Sequence, residues 1–401
     1  MTYLNLETAI RDDKLMQGFE QKSLSTGSAH SQMVKGPPIE RGSGSKDGVN
    51  SPSPTAVSRL KRPFQFGSLT LPSNVFCAPL AGCSDLPFRR MTSAYQPGLI
   101  FCEMVKMDAL IRHDPQTYHM LDYETGMHPI GGQLCGSKPQ YAGPCAKIIE
   151  DLGFDVVDLN CGCPVDKVTK DGSGSGLLKN PELIGELISE MVAAVKIPVT
   201  IKIRIGWDAH SINATEVTQI AELAGAASIC IHGRTRAQGY QGFANWEVIR
   251  DCKAVAKKIK VIGNGDITDP LSAQKMFEVT GCDAILVARG TMGKPWIIED
   301  IYRHLEGQAP ILRTGLDYRD LLLAHLDHIV SYQIERKAVM DLRRVGCWYL
   351  KGGKGTKLLR ESINRSRSIP EIRALICAYP WHETDFSQAM PVDANVECEV
   401  C

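Results

Sequence analysis

Between residues 64 and about 312 the chain alternates short apolar runs with segments whose apolar positions fall at helical spacing. Eight such runs stand out, at 75–80, 99–103, 129–134, 156–160, 199–204, 228–232, 260–263 and 284–288. Each is rich in Val, Ile or Leu without strict alternation, as expected of parallel strands covered on both faces. The intervening segments 139–152, 181–195, 213–224 and 270–279 predict helices. Two of them carry start signals, Asn180-Pro181-Glu182 and Thr268-Asp269-Pro270, each a capping side chain before a proline at the first helical position. Eight strand–helix units in about 250 residues predict a TIM (β/α)8 barrel. After Thr314 only helical periodicity remains, over 317–337, 341–351 and 370–378. The α/β reading is therefore a barrel over 61–313, a small all-helical domain over 314–380, and a flexible tail over 381–401.

Residues 1–60 read differently. No aromatic residue occurs from 21 to 58, and Ser, Gly and Pro recur, as in Gly42-Ser-Gly-Ser45 and Ser51-Pro-Ser-Pro54. Such composition buries too little apolar surface to offset chain entropy, so a disordered extension is expected. Within it residues 4–19 have the spacing of a short amphipathic helix through Leu6, Ile10 and Phe19, to which no function is assigned.

Composition narrows the classes. The 401 residues contain no uninterrupted apolar run of membrane-spanning length, and the N-terminus carries Glu7, Asp12 and Asp13, so a cytoplasmic protein is expected. Its 14 cysteines are scattered through strand-like and helix-like segments, the distribution of reduced thiols. Cys398 and Cys401 form one CxxC, which cannot complete a tetrahedral metal site, and no metal is expected. Net charge is zero, yet residues 343–373 hold nine Lys/Arg (Arg343, Arg344, Lys351, Lys354, Lys357, Arg360, Arg365, Arg367, Arg373) against Glu361 and Glu371. The neutral total conceals one strongly basic region.

A barrel of this type carries its chemistry where the strands end. Asn160-Cys161-Gly162-Cys163-Pro164 closes the fourth run, placing a thiol between a buried strand and a loop, a candidate proton donor or nucleophile. Gln133 ends the third run, Lys202 and Arg204 the fifth, and His232-Gly-Arg-Thr235 the sixth. Glycine-bearing turns end the last two, Gly263-Asn-Gly-Asp266 and Ala288-Arg-Gly-Thr291. Exposed backbone N–H groups in such turns suit a phosphate. Lys202 and Arg204, two residues apart on one strand, share a face, and a lysine inside a barrel calls for an anion. The first strand is followed by Ala78-Pro-Leu-Ala-Gly82 and lacks a dinucleotide fingerprint, so a barrel-bound flavin mononucleotide (FMN) is the expected cofactor. Cofactor contacts are expected from Ala78, Pro79, Leu80, Gln133, Lys202, His232, Asn264, Gly265, Asp266, Ala288, Arg289 and Gly290.

The segments APLAGCSDLPFRR, DLNCGCPVDKV, DGSGSGLLKNPEL, VTIKIRIGW, IHGRTRAQGYQGFANW, VIGNGDI and VARGTMGKPW, in this order, resemble the tRNA-dihydrouridine synthases over residues 64 to about 380. Trp348-Tyr-Leu-Lys351 is similar to a segment of the bacterial DusB-type branch. Two features fall outside the resemblance, Gly352-Gly-Lys-Gly355 and the N-terminal extension. The resemblance implies NADPH-dependent, FMN-mediated reduction of the uracil C5–C6 double bond in tRNA. It places the proton donor on the cysteine of Gly-Cys-Pro, which is Cys163 and not Cys161. Uridine is expected to meet Asn160, Arg204 and the 234–240 loop, with Arg234 and Gln238, while Lys351, Lys354, Lys357 and Arg360 grip RNA phosphates. A monomer without a protein partner is expected. Two alternatives stay open, an FMN barrel of the dihydroorotate or dihydropyrimidine dehydrogenase kind and an RNA-binding relative without catalysis.

Overall fold

The computed structural model describes residues 62–386. The expected extension, the helix expected over 4–19 and the CxxC lie outside them.

Eight parallel strands form the barrel: β3 Val75–Cys77, β4 Ile100–Lys106, β5 Ile130–Cys135, β6 Val156–Cys161, β7 Val199–Arg204, β8 Ser228–His232, β9 Lys260–Asn264 and β10 Ala284–Val287. They run in the order β3-β10-β9-β8-β7-β6-β5-β4. The ring is joined by Gly98 N–H to Val75 O (2.8 Å) and Cys77 N–H to Leu99 O (2.9 Å). All eight apolar runs became strands because each is buried on both faces. The first is shorter than its run, and Ala78, Pro79 and Leu80 stand in the loop beyond it. Both helix start signals operate: Asn180 Oδ1 accepts from Leu183 N–H, and Asp269 with Ser272 forms a capping box.

A hairpin that the hydrophobic pattern did not announce precedes the barrel, β1 Phe64–Phe66 paired with β2 Leu69–Leu71. Strands of three residues are too short to show a period. Phe64, Phe66 and Leu71 join Phe76, Leu99, Phe101, Val156, Cys230 and Ala284 in one apolar cluster, so the hairpin plugs the N-terminal end of the barrel. The opposite end is left to the loops.

Four helices follow the barrel, Gly315–Tyr332, Glu335–Leu350, Lys357–Arg365 and Ile369–Ala378. The helix expected over 317–337 is two helices, parted at Gln333 and Ile334, both extended. The helix Lys357–Arg365 was hidden in the basic segment, where only Leu359 and Ile363 mark its buried face. Three of the nine basic residues counted there work within the fold: Arg344 pairs with Asp341, Arg373 pairs with Asp327, and Arg343 donates to Ser366 O. Residues 381–386, expected as the start of a flexible tail, are packed against the helices. Trp381 is buried and donates to Ile376 O (2.6 Å), and Phe386 stacks on Tyr318 at 3.7 Å between ring centroids.

The helices pack directly against the barrel at several points. Trp296, from the last barrel unit, belongs to the helical core. Gly293 lies so close to the helix Glu335–Leu350 that a Cβ would stand 2.3 Å from Trp348 O. Trp348 and Leu80 pack against the same small cluster of Cys83, Phe88 and Met292. Among the described residues no helix is long and apolar enough to cross a membrane.

The buried ring at 381 yields a stability test. Trp381→Ala removes a fully packed indole and its hydrogen bond and is expected to destabilise the fold by about 3–5 kcal/mol. Chemical denaturation measures it, and a loss below about 1 kcal/mol would show that residues from 381 onward are the tail their composition suggested.

Candidate active site

Strand register assembles the site. β5, β6 and β7 align Gln133 with Asp158 and Asp158 with Thr200. Two residues along, Asn160 faces Lys202 and Lys202 faces Cys230; two further, Arg204, His232, Asn264 and Leu286 are aligned across β7 to β10. Because strand side chains alternate, these residues share the barrel interior while Val157, Leu159 and Cys161 face the helices.

A directional chain of hydrogen bonds crosses the first two levels. Thr200 Oγ1 donates to Asp158 Oδ1 (2.5 Å) and Gln133 Nε2 donates to Asp158 Oδ2 (2.7 Å). An ionised carboxylate only accepts, so it turns the Gln133 amide nitrogen toward itself and the amide oxygen away. Gln133 Oε1 then receives Asn160 Nδ2 (2.8 Å), which leaves Asn160 Oδ1 for the N–H groups of Gly162 (3.1 Å) and Cys163 (2.9 Å). Cys163 O accepts from Ser175 N–H (3.0 Å) and Ser175 Oγ (2.9 Å). The Cys163 backbone is thus fixed on both sides, and its side chain lines the cavity at the strand ends. Cys161 does not line that cavity; burial pushes its thiol well above the ordinary range.

The cavity, open to solvent, is lined at its polar end by cations. Lys202 reaches it with no hydrogen bond or ion pair to another described residue, and burial pushes its ammonium down, with Arg204 adding to the effect. His232 is pushed well below the ordinary histidine range by burial, then by Arg204, Lys202, Arg234 and Arg289, so its ring is neutral. Its Nε2 faces Arg234 Nη1 at 3.4 Å. A guanidinium only donates, so the ring proton stands on Nδ1. Tyr240 closes one side, under the Arg289 guanidinium at 4.5 Å and beside Arg204 at 5.5 Å. A half-buried lysine that feels the Asp158 charge but makes no ion pair with it, among further cations, can take an anion from outside.

All twelve expected cofactor contacts line this cavity: Ala78, Pro79, Leu80, Gln133, Lys202, His232, Asn264, Gly265, Asp266, Ala288, Arg289 and Gly290. Cys163, Asn160 and Arg204 line it too. The two glycine turns also have structural reasons. Gly265 has φ +114°, and a Cβ there would lie 2.8 Å from both His232 and Ala244; at Gly290 it would lie 2.6 Å from Ile267 O.

Several expected substrate contacts stand elsewhere or are already engaged. Arg234 is buried, bidentate to Asp266 (2.7 and 2.9 Å), and does not line the cavity. Gln238 is tied within its own loop to Thr235, Gln241 and Phe243. Arg204 donates to the carbonyls of Gly162 (3.0 Å), Thr235 (2.8 Å) and Gly239 (2.7 Å), which clamps the cysteine loop to the 235–239 loop. Burial, set against Tyr240 nearby, brings its guanidinium down to about 10. Asn160 has both ends of its amide occupied, and Asn264 Nδ2 donates to Leu286 O (2.7 Å). Lys354 and Lys357 are exposed, and Lys351 and Arg360 half-buried, on the turn and helix after residue 350, away from the cavity lining. Sequence reading overlooked Asp158 and Thr200. Their signal was a carboxylate inside an otherwise apolar strand.

Comparison with known proteins shows the family of the chain. The family described as Dihydrouridine synthase (Dus) matches residues 76–376. A protein named "Probable tRNA-dihydrouridine synthase" from Rickettsia bellii is 38% identical over 308 residues, 75% of this chain and 92% of that one. "tRNA-dihydrouridine synthase B" from Xanthomonas campestris is 34% identical over 305 residues, 76% of this chain and 92% of its own.

The buried carboxylate sets a pH test. Burial raises Asp158 from 3.8 to about 6, against the lowering by Thr200, Gln133 and Lys202. A carboxyl with a raised folded pKa keeps its proton longer in the fold, so its contribution is full at low pH and is lost as pH rises through the folded value. The unfolding free energy of the native chain minus that of Asp158→Asn should fall between about pH 4 and 6 and level off above. Denaturant titrations across that range measure it; a flat difference would contradict the burial of the charge.

Proposed function

The chain belongs to the dihydrouridine synthase family, and from that premise we propose that it reduces the C5–C6 double bond of uridines in tRNA, with FMN bound in the barrel and NADPH as reductant. The observation that supports this best is the meeting in one cavity of Cys163 with Lys202, a cation that makes no hydrogen bond or ion pair with another described residue. FMN, when bound, supplies the hydride that reaches uracil C6.

The residues present fit such a group. Lys202 and the turns 264–266 and 288–290 offer cationic and backbone donors to an anion, while Ala78, Pro79 and Leu80 offer an apolar wall. Neutral His232 can share a proton through Nδ1 without adding charge. Asp266, the carboxylate among the lining residues, is already paired with Arg234, so it does not repel a phosphate as a lone carboxylate would.

Addition across C5–C6 needs a proton at C5 once C6 has gained its hydrogen and electron pair. The Cys163 thiol gives that proton as general acid. Asp158, Gln133 and Asn160 act through the loop, holding the Cys163 N–H and thereby the direction of the side chain. Uridine enters from the open end as a flipped or unstacked base, since a paired base cannot reach the strand ends. Lys351, Lys354, Lys357 and Arg360 hold RNA phosphates on the helical part.

Two experiments test the reading. Cys163→Ala is expected to retain released FMN on denaturation and NADPH oxidation, yet to lose roughly 10² or more in dihydrouridine formation, with Cys161→Ala much milder. Equal losses, or the reverse order, would refute the assignment of the acid. Changing Lys351, Lys354, Lys357 and Arg360 together to Ala should raise KM for tRNA and flatten the salt dependence of binding, at a log–log slope of about 0.7–0.9 per lost phosphate contact. Affinity titrated at several salt concentrations measures this, and an unchanged slope would place the RNA elsewhere.

A further inference from the structure

At the mouth of the cavity stand cationic and aromatic side chains that the proposed chemistry does not use. Trp207, half-buried, has the Lys179 ammonium 3.5 Å and the Arg236 guanidinium 4.6 Å from its ring centroid. Arg236 N–H donates to Gly206 O (2.9 Å) and Ala237 N–H to Trp207 O (2.8 Å), so this loop and the 235–245 loop are fastened together. On the second loop Tyr240 lines the cavity, whereas Phe243 is 90% exposed.

The exposure of Phe243 is not that of a loose loop. Gly242 O accepts from Arg234 Nη2 (2.6 Å), Phe243 O from Gln238 Nε2 (3.2 Å), and Ala244 N–H donates to Asp266 Oδ2 (2.7 Å). Single exposed apolar side chains are ordinary on protein surfaces. This one is held out to solvent by its backbone on the loop whose Tyr240 lines the cavity, with Arg236, which also pairs with Asp166, on the same loop and Lys179, at the end of the turn Gly174–Lys179, meeting it over Trp207. Single-stranded nucleic acid is bound by that combination, a ring for a base and cations for the phosphates beside it.

A uridine that leaves its stack exposes the face of its neighbour, which costs free energy unless another flat surface covers it. Resting on the reading that the substrate is a uridine in RNA, we propose that Phe243 stacks on the base adjoining the reduced uridine and that Lys179 and Arg236 face the phosphates flanking it. The loop then divides its roles: Tyr240 points inward to the reacting nucleotide and Phe243 outward to the next one.

The test uses the full chain with its cofactor, as native protein, Phe243→Ala and Phe243→Trp, and dihydrouridine-free tRNA transcript as probe. Phe243→Ala should raise both Kd and KM about tenfold, with kcat held, and Phe243→Trp should return both toward the native values. On transcripts made abasic at one or other neighbour of the reduced uridine, one of the two should be bound alike by native protein and Phe243→Ala. Equal affinity of native protein and Phe243→Ala for the intact transcript would overturn the proposal and assign the ring to some other contact, a protein surface included. Dihydrouridine formed by the native protein is measured separately. Its absence, with the effect of Phe243 on binding intact, would sink the proposed reaction and leave the RNA contact standing.

Discussion

The mouth of this barrel depends on one buried ion pair, Arg234 with Asp266. Arg234 is 1% exposed, and its guanidinium holds both carboxylate oxygens and the carbonyls of Gln241 and Gly242. Asp266 in turn accepts from Ala244 N–H and lies 3.7 Å from Arg289. Loops from three successive strands are thereby fixed by one contact. Removing Asp266 would strand the buried Arg234 charge, at a cost of about 3–5 kcal/mol, whereas the pair itself adds little net stability. What it supplies is geometry: Tyr240 inward, Phe243 outward, and the Gly265 turn against His232.

With Asp266 neutralised, the polar end of the cavity is left with Lys202, Arg204 and Arg289 and without an opposing free carboxylate among its lining residues. The same cations, together with burial, keep His232 neutral. A charged histidine there would add to the repulsion; a neutral one offers a directed hydrogen bond. The Asp158 carboxylate sits on a different level of the barrel, where its acceptor-only character sets the sense of the Gln133 and Asn160 amides and so fixes the Cys163 loop from behind.

The helical part is tied to the same framework. Trp348 packs against the cluster that also receives Leu80, a residue of the cavity wall, and the helix backbone touches Gly293 just past the Ala288–Gly290 turn. Exposed Lys354 and Lys357 are therefore carried on one compact body with Cys163. A folded polynucleotide contacted at both places would be oriented by the protein's rigidity, with little loop entropy lost on binding.

Local sequence determined the barrel because its signals are local. Eight apolar runs of strand length, two capped helix starts and the polar or glycine-bearing ends of the third to eighth runs need no knowledge of neighbours. Strand alternation likewise placed Lys202 with Arg204 on the inner face, and all twelve expected cofactor contacts came together at one cavity. Tertiary structure decided what each polar group has as its partner. Arg234 and Gln238 looked like free donors in the sequence, yet the fold brings Asp266 and the loop carbonyls to them. Asp158 looked like part of an apolar run, yet register sets it beside Gln133 and Thr200. The hairpin and the burial of Trp381 and Phe386 were likewise invisible, the one too short for a period and the others buried by helices distant in the chain. Periodicity is a property of a segment, whereas hydrogen-bond satisfaction is a property of pairs, and pairs far apart in sequence exist only once the barrel has closed.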